Sequence, residues 1–212
     1  MNRVFKIVLI DDSDKTIKPI MESAKLTLSK RYGYEIDYSI ISKSDEFAQI
    51  NEYIADIVMF DYNLSGSDFS ATGLSDYGDK LIKQYRKNNK RTKVVFYSSR
   101  FRADEDDMGL SVKDLLLLIN ELNVFKIIEL SAALFVEAII SAIENIDTVL
   151  ISFDELINTY GDDGMFVIDG VEMTGQALLN ELKLGTQIGN AFREQVNLTI
   201  LTYLMKFGGS DE

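Results

Sequence analysis

The strongest constraint in this 212-residue sequence is an alternation. Strand-like segments recur at 4–10, 34–41, 57–60, 93–97 and 124–128, the first of them an apolar run rich in β-branched residues. A continuous apolar run of this length predicts a strand buried on both faces. The segments after them, 13–30, 45–53, 79–87, 112–122 and 131–146, have helical spacing. The first carries Ile17, Ile20, Met21, Ala24 and Leu28, with the single proline, Pro19, in its first turns. Ser131 is the expected cap of the last. Strand–helix repeated in this way predicts an α/β fold over 1–147: a doubly wound, five-stranded parallel sheet covered on both faces. In such sheets, sites form beyond the carboxyl ends of the strands, where the strand order reverses.

Composition narrows the chemistry. The chain has no cysteine and no histidine, so a disulfide, a zinc–thiolate site, a cysteine nucleophile and a Ser-His-Asp triad are all excluded. It cannot carry a phosphohistidine of its own. A net charge of −12 argues against nucleic-acid backbone as the main partner, because phosphate contacts need clustered lysine and arginine. The first residues, MNRVFKIVLIDD, are broken by Lys6 and closed by two acids, unlike a signal peptide. The other apolar stretches are too short or too interrupted to span a bilayer, so no membrane contact and a cytoplasmic location are expected.

Residues 148–212 read differently. Ser152 is placed to cap a short helix over 153–160, "GDDG" at 161–164 reads as a turn, and 165–173 as a hairpin on Asp169-Gly170. Helices follow over 174–184 and 186–207, the second with Ile188, Phe192, Val196, Ile200 and Leu204 at four-residue intervals. "GGSDE" at the end reads as frayed. A small α+β or mostly helical module is predicted. Turn chemistry accounts for Asp162, Asp163 and Asp169. This segment has three basic residues (Lys183, Arg193, Lys206) against ten acidic ones, a net of 3 − 10 = −7, so direct DNA binding is not expected. Protein–protein contact fits better, and the long helix leaves room for a homodimer or for docking on an unidentified downstream protein.

The strand ends hold the candidate site. Strand one ends at Asp11-Asp12, strand three at Asp61 and strand four at Ser98-Ser99. In a doubly wound sheet these ends converge, and three close carboxylates repel each other unless a cation joins them. A hard ion such as Mg²⁺ suits oxygen ligands and keeps positions for a phosphoryl oxygen. Asp61 is then placed to act as a carboxylate nucleophile toward phosphorus. Taken singly, an acidic pair after a strand is an ordinary helix cap, Asp61 a turn residue and Ser98 a loop hydroxyl. Their joint occurrence at three strand ends is what points to a site.

"KIVLIDDSD", "DIVMFDYNL" and "KVVFYSS" resemble the receiver domain of two-component response regulators, a flavodoxin-like fold, over roughly 4–147. The resemblance implies that Asp11 and Asp12 hold Mg²⁺ and that Asp61 accepts phosphate from the histidine of a partner kinase or phosphotransfer protein. It implies that Asn63 offers its backbone carbonyl to the metal, that Ser98 contacts the phosphoryl oxygen, and that Phe125 is the aromatic that changes rotamer on activation. Such a protein is a phosphoacceptor with at most slow self-phosphorylation and self-dephosphorylation, not a turnover enzyme.

The sequence departs from that family at three places. Laying "NVFKIIELS" on the family's "GYxxKPF" puts Ile128 at the expected lysine and Glu129 at the expected proline. Lys126 lies two residues upstream, either a substitute phosphoryl contact or an exposed lysine on an edge strand. Arg100 is a second source of positive charge. Ser65 stands where proline is usual, and 65–78 is longer than the usual link, either a surface insertion or a lid that selects partners. Two other readings remain open: a degenerate receiver regulated by contact without phosphate, and an aspartate-nucleophile phosphohydrolase. The latter is disfavoured by Asn63, because haloacid-dehalogenase-like enzymes carry a second acid two residues after the nucleophile.

Overall fold

The apolar runs at 57–60 and 94–97 become parallel strands buried on both faces, where no polar face is needed, while 35–41 alternates buried with more exposed residues at the sheet edge. The computed structural model describes residues 3–66, 68–69, 73–101, 110–146, 148–162 and 164–207. The chain divides into two compact units, 1–146 and 147–212.

In the first unit the strands are β1 (Val4–Ile10), β2 (Glu35–Ile41), β3 (Ile57–Asp61), β4 (Lys93–Ser98) and β5 (Val124–Glu129). They form one parallel sheet in the order β2-β1-β3-β4-β5. That is the flavodoxin-like order, and its reversal falls between β1 and β3. The helices are α1 (Asp14–Thr27), α2 (Ser44–Ala48), α3 (Gly78–Tyr85), α4 (Val112–Asn120) and α5 (Ala132–Glu144).

Strand alternation sends side chains to two layers. Val8, Ile10, Val58, Phe60, Val94 and Phe96 join Phe47 of α2, Leu81, Ile82 and Tyr85 of α3 and Leu118 of α4 in one buried cluster. Ile7, Leu9, Met59, Val95 and Tyr97 are buried on the other face, where α1 packs beside α5. Ser131 caps α5 as expected, its hydroxyl accepting from the Leu134 N–H. Two predicted helices are broken. α1 passes into a π-helical turn over Leu28–Tyr32 that closes on Gly33 in the left-handed region, and α2 gives way to a 3₁₀ turn over Ile50–Tyr53.

The second unit is α6 (Thr148–Tyr160), an antiparallel hairpin of β6 (Met165–Ile168) and β7 (Val171–Thr174), α7 (Gly175–Leu184) and α8 (Gln187–Phe207). The turn residues Asp169 and Gly170 both have positive φ, as a two-residue hairpin of this hand demands. The expectation for α6 needs correction: it starts at Thr148, so Ser152 lies inside the helix and does not cap it. Leu150, Phe153 and Ile157 form its buried face, and the apolar spacing simply continues upstream of the serine. Phe153 meets Phe166 at 5.2 Å and Phe192 at 5.0 Å, which makes the centre of this small core aromatic. α7 and α8 approach so closely that a Cβ on Gly189 would meet the Glu181 carbonyl oxygen at 2.3 Å. Asp162 accepts from the Gln176 N–H at the start of α7, a structural role; Asp163 and the last five residues lie outside the described residues.

Candidate functional site

β1 and β3 deliver their terminal acids to the same place because they are register neighbours, Ile10 opposite Phe60. Asp11, Asp12 and Asp61 each offer a carboxylate oxygen within 4.8 Å of the others. Asp11 is buried, and its two oxygens are both engaged: Oδ1 accepts from the Ser13 N–H at 2.7 Å and Oδ2 from the Tyr97 hydroxyl at 2.7 Å. Asp12 Oδ2 accepts from the Gly66 N–H at 2.5 Å. None of these partners is a cation.

The electrostatics follow from that geometry. Burial, and then the negative charge of Asp11, push the Asp61 carboxyl up to about 8, against some relief from the Tyr62 and Asn63 backbone N–H groups. The Asp11 carboxyl is also raised, chiefly by burial, while the Tyr97 and Ser13 donors pull it down. Tyr97 is held far from ionising by burial and by the neighbouring acids. Carboxylates brought together against their own charge are a donor set made for a cation. Three oxygens at this spacing fit a small, hard, octahedral ion such as Mg²⁺.

Tyr97 was not among the residues that sequence spacing singled out. It is register partner of Asp61 on β4, wholly buried, with its ring edge-on to Phe135 of α5 at 4.9 Å. The available signal was its position: a polar-tipped aromatic within "VVFYS", level with the strand-three acid. Ser98, one residue further, is buried at the end of β4. Its Oγ accepts from the Arg100 N–H at 3.2 Å and its carbonyl from the Leu130 N–H at 3.0 Å. It is the backbone of Arg100 that meets Ser98, and the arginine as a whole is exposed. Asn63, two residues beyond Asp61, forms an isolated bridge with Tyr77.

Two expected residues are not brought to the cluster. Lys126 pairs with Val95, two residues short of the Tyr97–Ile128 level, and its ammonium donates to Ser141 of α5 at 2.8 Å. It is half-buried and bonded to α5, so it is not an exposed edge residue. Phe125 is set aside by a register shift in β5, where Val94 faces Val124 but Val95 faces Lys126. Its ring lies 4.9 Å from the Lys93 ammonium, at the opposite end of β4 from Ser98. Four residues of strand, about 13 Å, separate Lys93 from Tyr97, so Phe125 is far from Asp61. Ile128 occupies the level of Tyr97, and Glu129 that of Ser98.

The 65–78 segment is stitched down where it is described; Ser67 and 70–72 lie outside the described residues. Gly66 holds Asp12, and Asp68 accepts from the Ser44 N–H at 2.8 Å and hydroxyl at 3.1 Å, serving as the cap of α2 from a distance. Phe69 is wholly buried against Phe47 at 5.9 Å. The segment ends at Gly78, where a Cβ would fall 2.0 Å from the Asp61 carbonyl oxygen, so only glycine lets α3 start so close to the site.

No family model matches the chain. No curated protein matches it either. Solved structures do resemble it: the beryllofluoride-activated DrrB receiver domain (14% identity, TM-score 0.42) over 68% of this chain and 100% of that one. The receiver domain of the Francisella response regulator 1452 is similar at 17% identity and TM-score 0.44, over 67% and 98%. The response regulator domain of Thermotoga maritima CheB is similar at 14% identity and TM-score 0.45, over 68% and 99%. The fold itself rests on strand order and register, and the site on its side chains. By those, the first unit has a flavodoxin-like fold, with an acidic cluster at the reversal point of its sheet.

Proposed function

We propose that this chain is a response regulator whose Asp61 accepts a phosphoryl group from a phosphohistidine on a partner kinase or phosphotransfer protein. The observation that carries the reading is the cluster of Asp11, Asp12 and Asp61 at the reversal point of the sheet, with no cation among its hydrogen-bond partners in the described residues. Asp11, Asp12, Asp61 and the Asn63 carbonyl are the groups that would hold Mg²⁺. When bound, that ion supplies charge neutralisation to the acids and to phosphoryl oxygens.

The chain's own residues do the rest. An Asp61 carboxylate oxygen forms the bond to phosphorus as the bond to the donor's imidazole nitrogen breaks, leaving an acyl phosphate on Asp61. The Tyr62 and Asn63 N–H groups orient that carboxylate. The Tyr97 hydroxyl fixes Asp11, taking up by hydrogen bonding part of what a lysine would do by charge. Ser98, one residue beyond the register partner of Asp61, offers its hydroxyl to a phosphoryl oxygen. The acidic second unit, net 3 − 11 = −8 over 147–212, relays the change by protein contact and not by gripping DNA.

The test is intact mass after incubation with Mg²⁺ and acetyl phosphate. A gain of one phosphoryl group, lost in Asp61→Asn and without Mg²⁺, supports the reading. No gain, with no beryllofluoride-induced spectral change, replaces it with a receiver fold that works by contact alone. Multiple turnover on an organic phosphate would make the protein a phosphohydrolase instead.

A further inference from the structure

The last helix of the second unit changes character half-way along. Phe192 is part of the aromatic core and Arg193 is buried, but 197–206 are exposed throughout. The stripe predicted from Phe192 to Leu204 therefore splits: its first half is core, while Ile200 and Leu204 are exposed. Leu198, Leu201, Tyr203 and Met205 are exposed as well, Met205 at 87%. At about 100° per residue, Thr199, Thr202 and Lys206 gather in one narrow sector. Apolar side chains fill more than half of the remaining circumference. A helix end like this is unstable in water unless something covers it.

We propose that α8 over 197–206 is a self-association surface, occupied by the same helix of a second copy of this chain. Three features select that occupant. The strip from Asn197 to Met205 has no charged residue, in a chain of net −12. An uncharged strip is what lets two acidic copies approach, whereas a foreign basic partner would be drawn to the acids and not to this strip. Second, the area fits a transient dimer. Leu198, Leu201, Leu204 and Met205 fall within about 120° of one another and can face one partner helix together. At roughly 100 Å² for each such side chain, pairing two copies buries about 800 Å², at the low end for weak, transient interfaces. Third, a single strip pairing about a two-fold axis closes on itself and leaves no open edge.

A lipid surface is the poorer occupant. Interfacial helices carry lysine and arginine on the polar sector, and here Lys206 stands alone beside two threonines on an acidic chain.

The test is sedimentation of the full chain, with Leu201→Asp and Met205→Asp as variants. Both side chains are exposed, so the variants should keep the circular dichroism and melting of the parent. The parent is expected at twice 24.0 kDa, and each variant is expected to dissociate at least about 100-fold more readily. A parent that is monomeric at about 100 μM, or variants that stay dimeric, overturns the proposal. So does a monomer that co-sediments with phosphatidylcholine–phosphatidylglycerol vesicles. Asp61 labelling is unaffected by either variant, which keeps this outcome separate from that of the phosphoacceptor reading.

Discussion

Replacing Asp61 with asparagine should stabilise the protein in the absence of divalent metal. The carboxyl is pushed to about 8 in the folded chain, first by burial and then by Asp11, against an ordinary value of 3.8. A raised carboxyl favours folding in its protonated form. Below pH 3.8 both states hold the proton and Asp61→Asn changes little. As pH rises from there toward 8, the unfolded chain has released the proton while the folded chain retains it, so stability falls steadily. At 1.36 kcal/mol per decade, the span between 3.8 and pH 7 gives an upper figure of about 4 kcal/mol. Partial exposure of the site and counterions reduce this to about 2 kcal/mol. For a unit of 146 residues, that is a melting shift of about 4–8 °C. The assay is thermal unfolding by circular dichroism of parent and Asp61→Asn, from pH 4 to pH 9, in EDTA and again with millimolar Mg²⁺. The variant's advantage should be near zero at pH 4, grow with pH and level off above 8. Added Mg²⁺ should raise the parent's melting temperature and leave the variant's unchanged, because a ligand stabilises only the state that binds it. A variant equal to or weaker than the parent across the whole range in EDTA would refute the reasoning, since Asp61 would then not sit among repelling charges.

Three further outcomes are expected. Tyr97→Phe removes the donor to a buried carboxylate and should cost about 2 kcal/mol, raise the Asp11 carboxyl further and weaken Mg²⁺ binding; calorimetric titration checks the last. Gly78→Ala places a Cβ on the Asp61 carbonyl oxygen, so α3 must shift, costing about 3 kcal/mol in urea unfolding and impairing the Asp61 labelling. Asp68→Ala releases the cap of α2 and should cost about 1 kcal/mol, with faster hydrogen exchange confined to 44–48.

Much of the fold was legible because burial on both faces leaves a plain mark, the apolar runs of β3, of β4 after Lys93 and of β1 after Lys6. Parallel connection through helices then left few topologies, and the acids at the strand ends had to converge on the reversal point. Local signals also sufficed for the Ser131 cap and the Asp169-Gly170 turn, which depend only on neighbours in the chain.

What the sequence did not contain was anything that depends on register or on which face a side chain takes. The register at Phe125 is one example: a bulge opposite Val94 and Val95 leaves that residue outside the ladder, and a bulge has no mark in an apolar run. Lys126 looked near enough to reach the acids, yet its half-buried ammonium is satisfied by Ser141, fifteen residues away on α5. The α8 stripe looked uniform because periodicity reports a face and not what covers it; packing stops near Val196. Sequence alone determined that three acids would meet at the end of a parallel sheet. Only the tertiary structure decided what stands beside them: a buried tyrosine hydroxyl on Asp11, delivered by a strand whose register is set by contacts far apart in the chain.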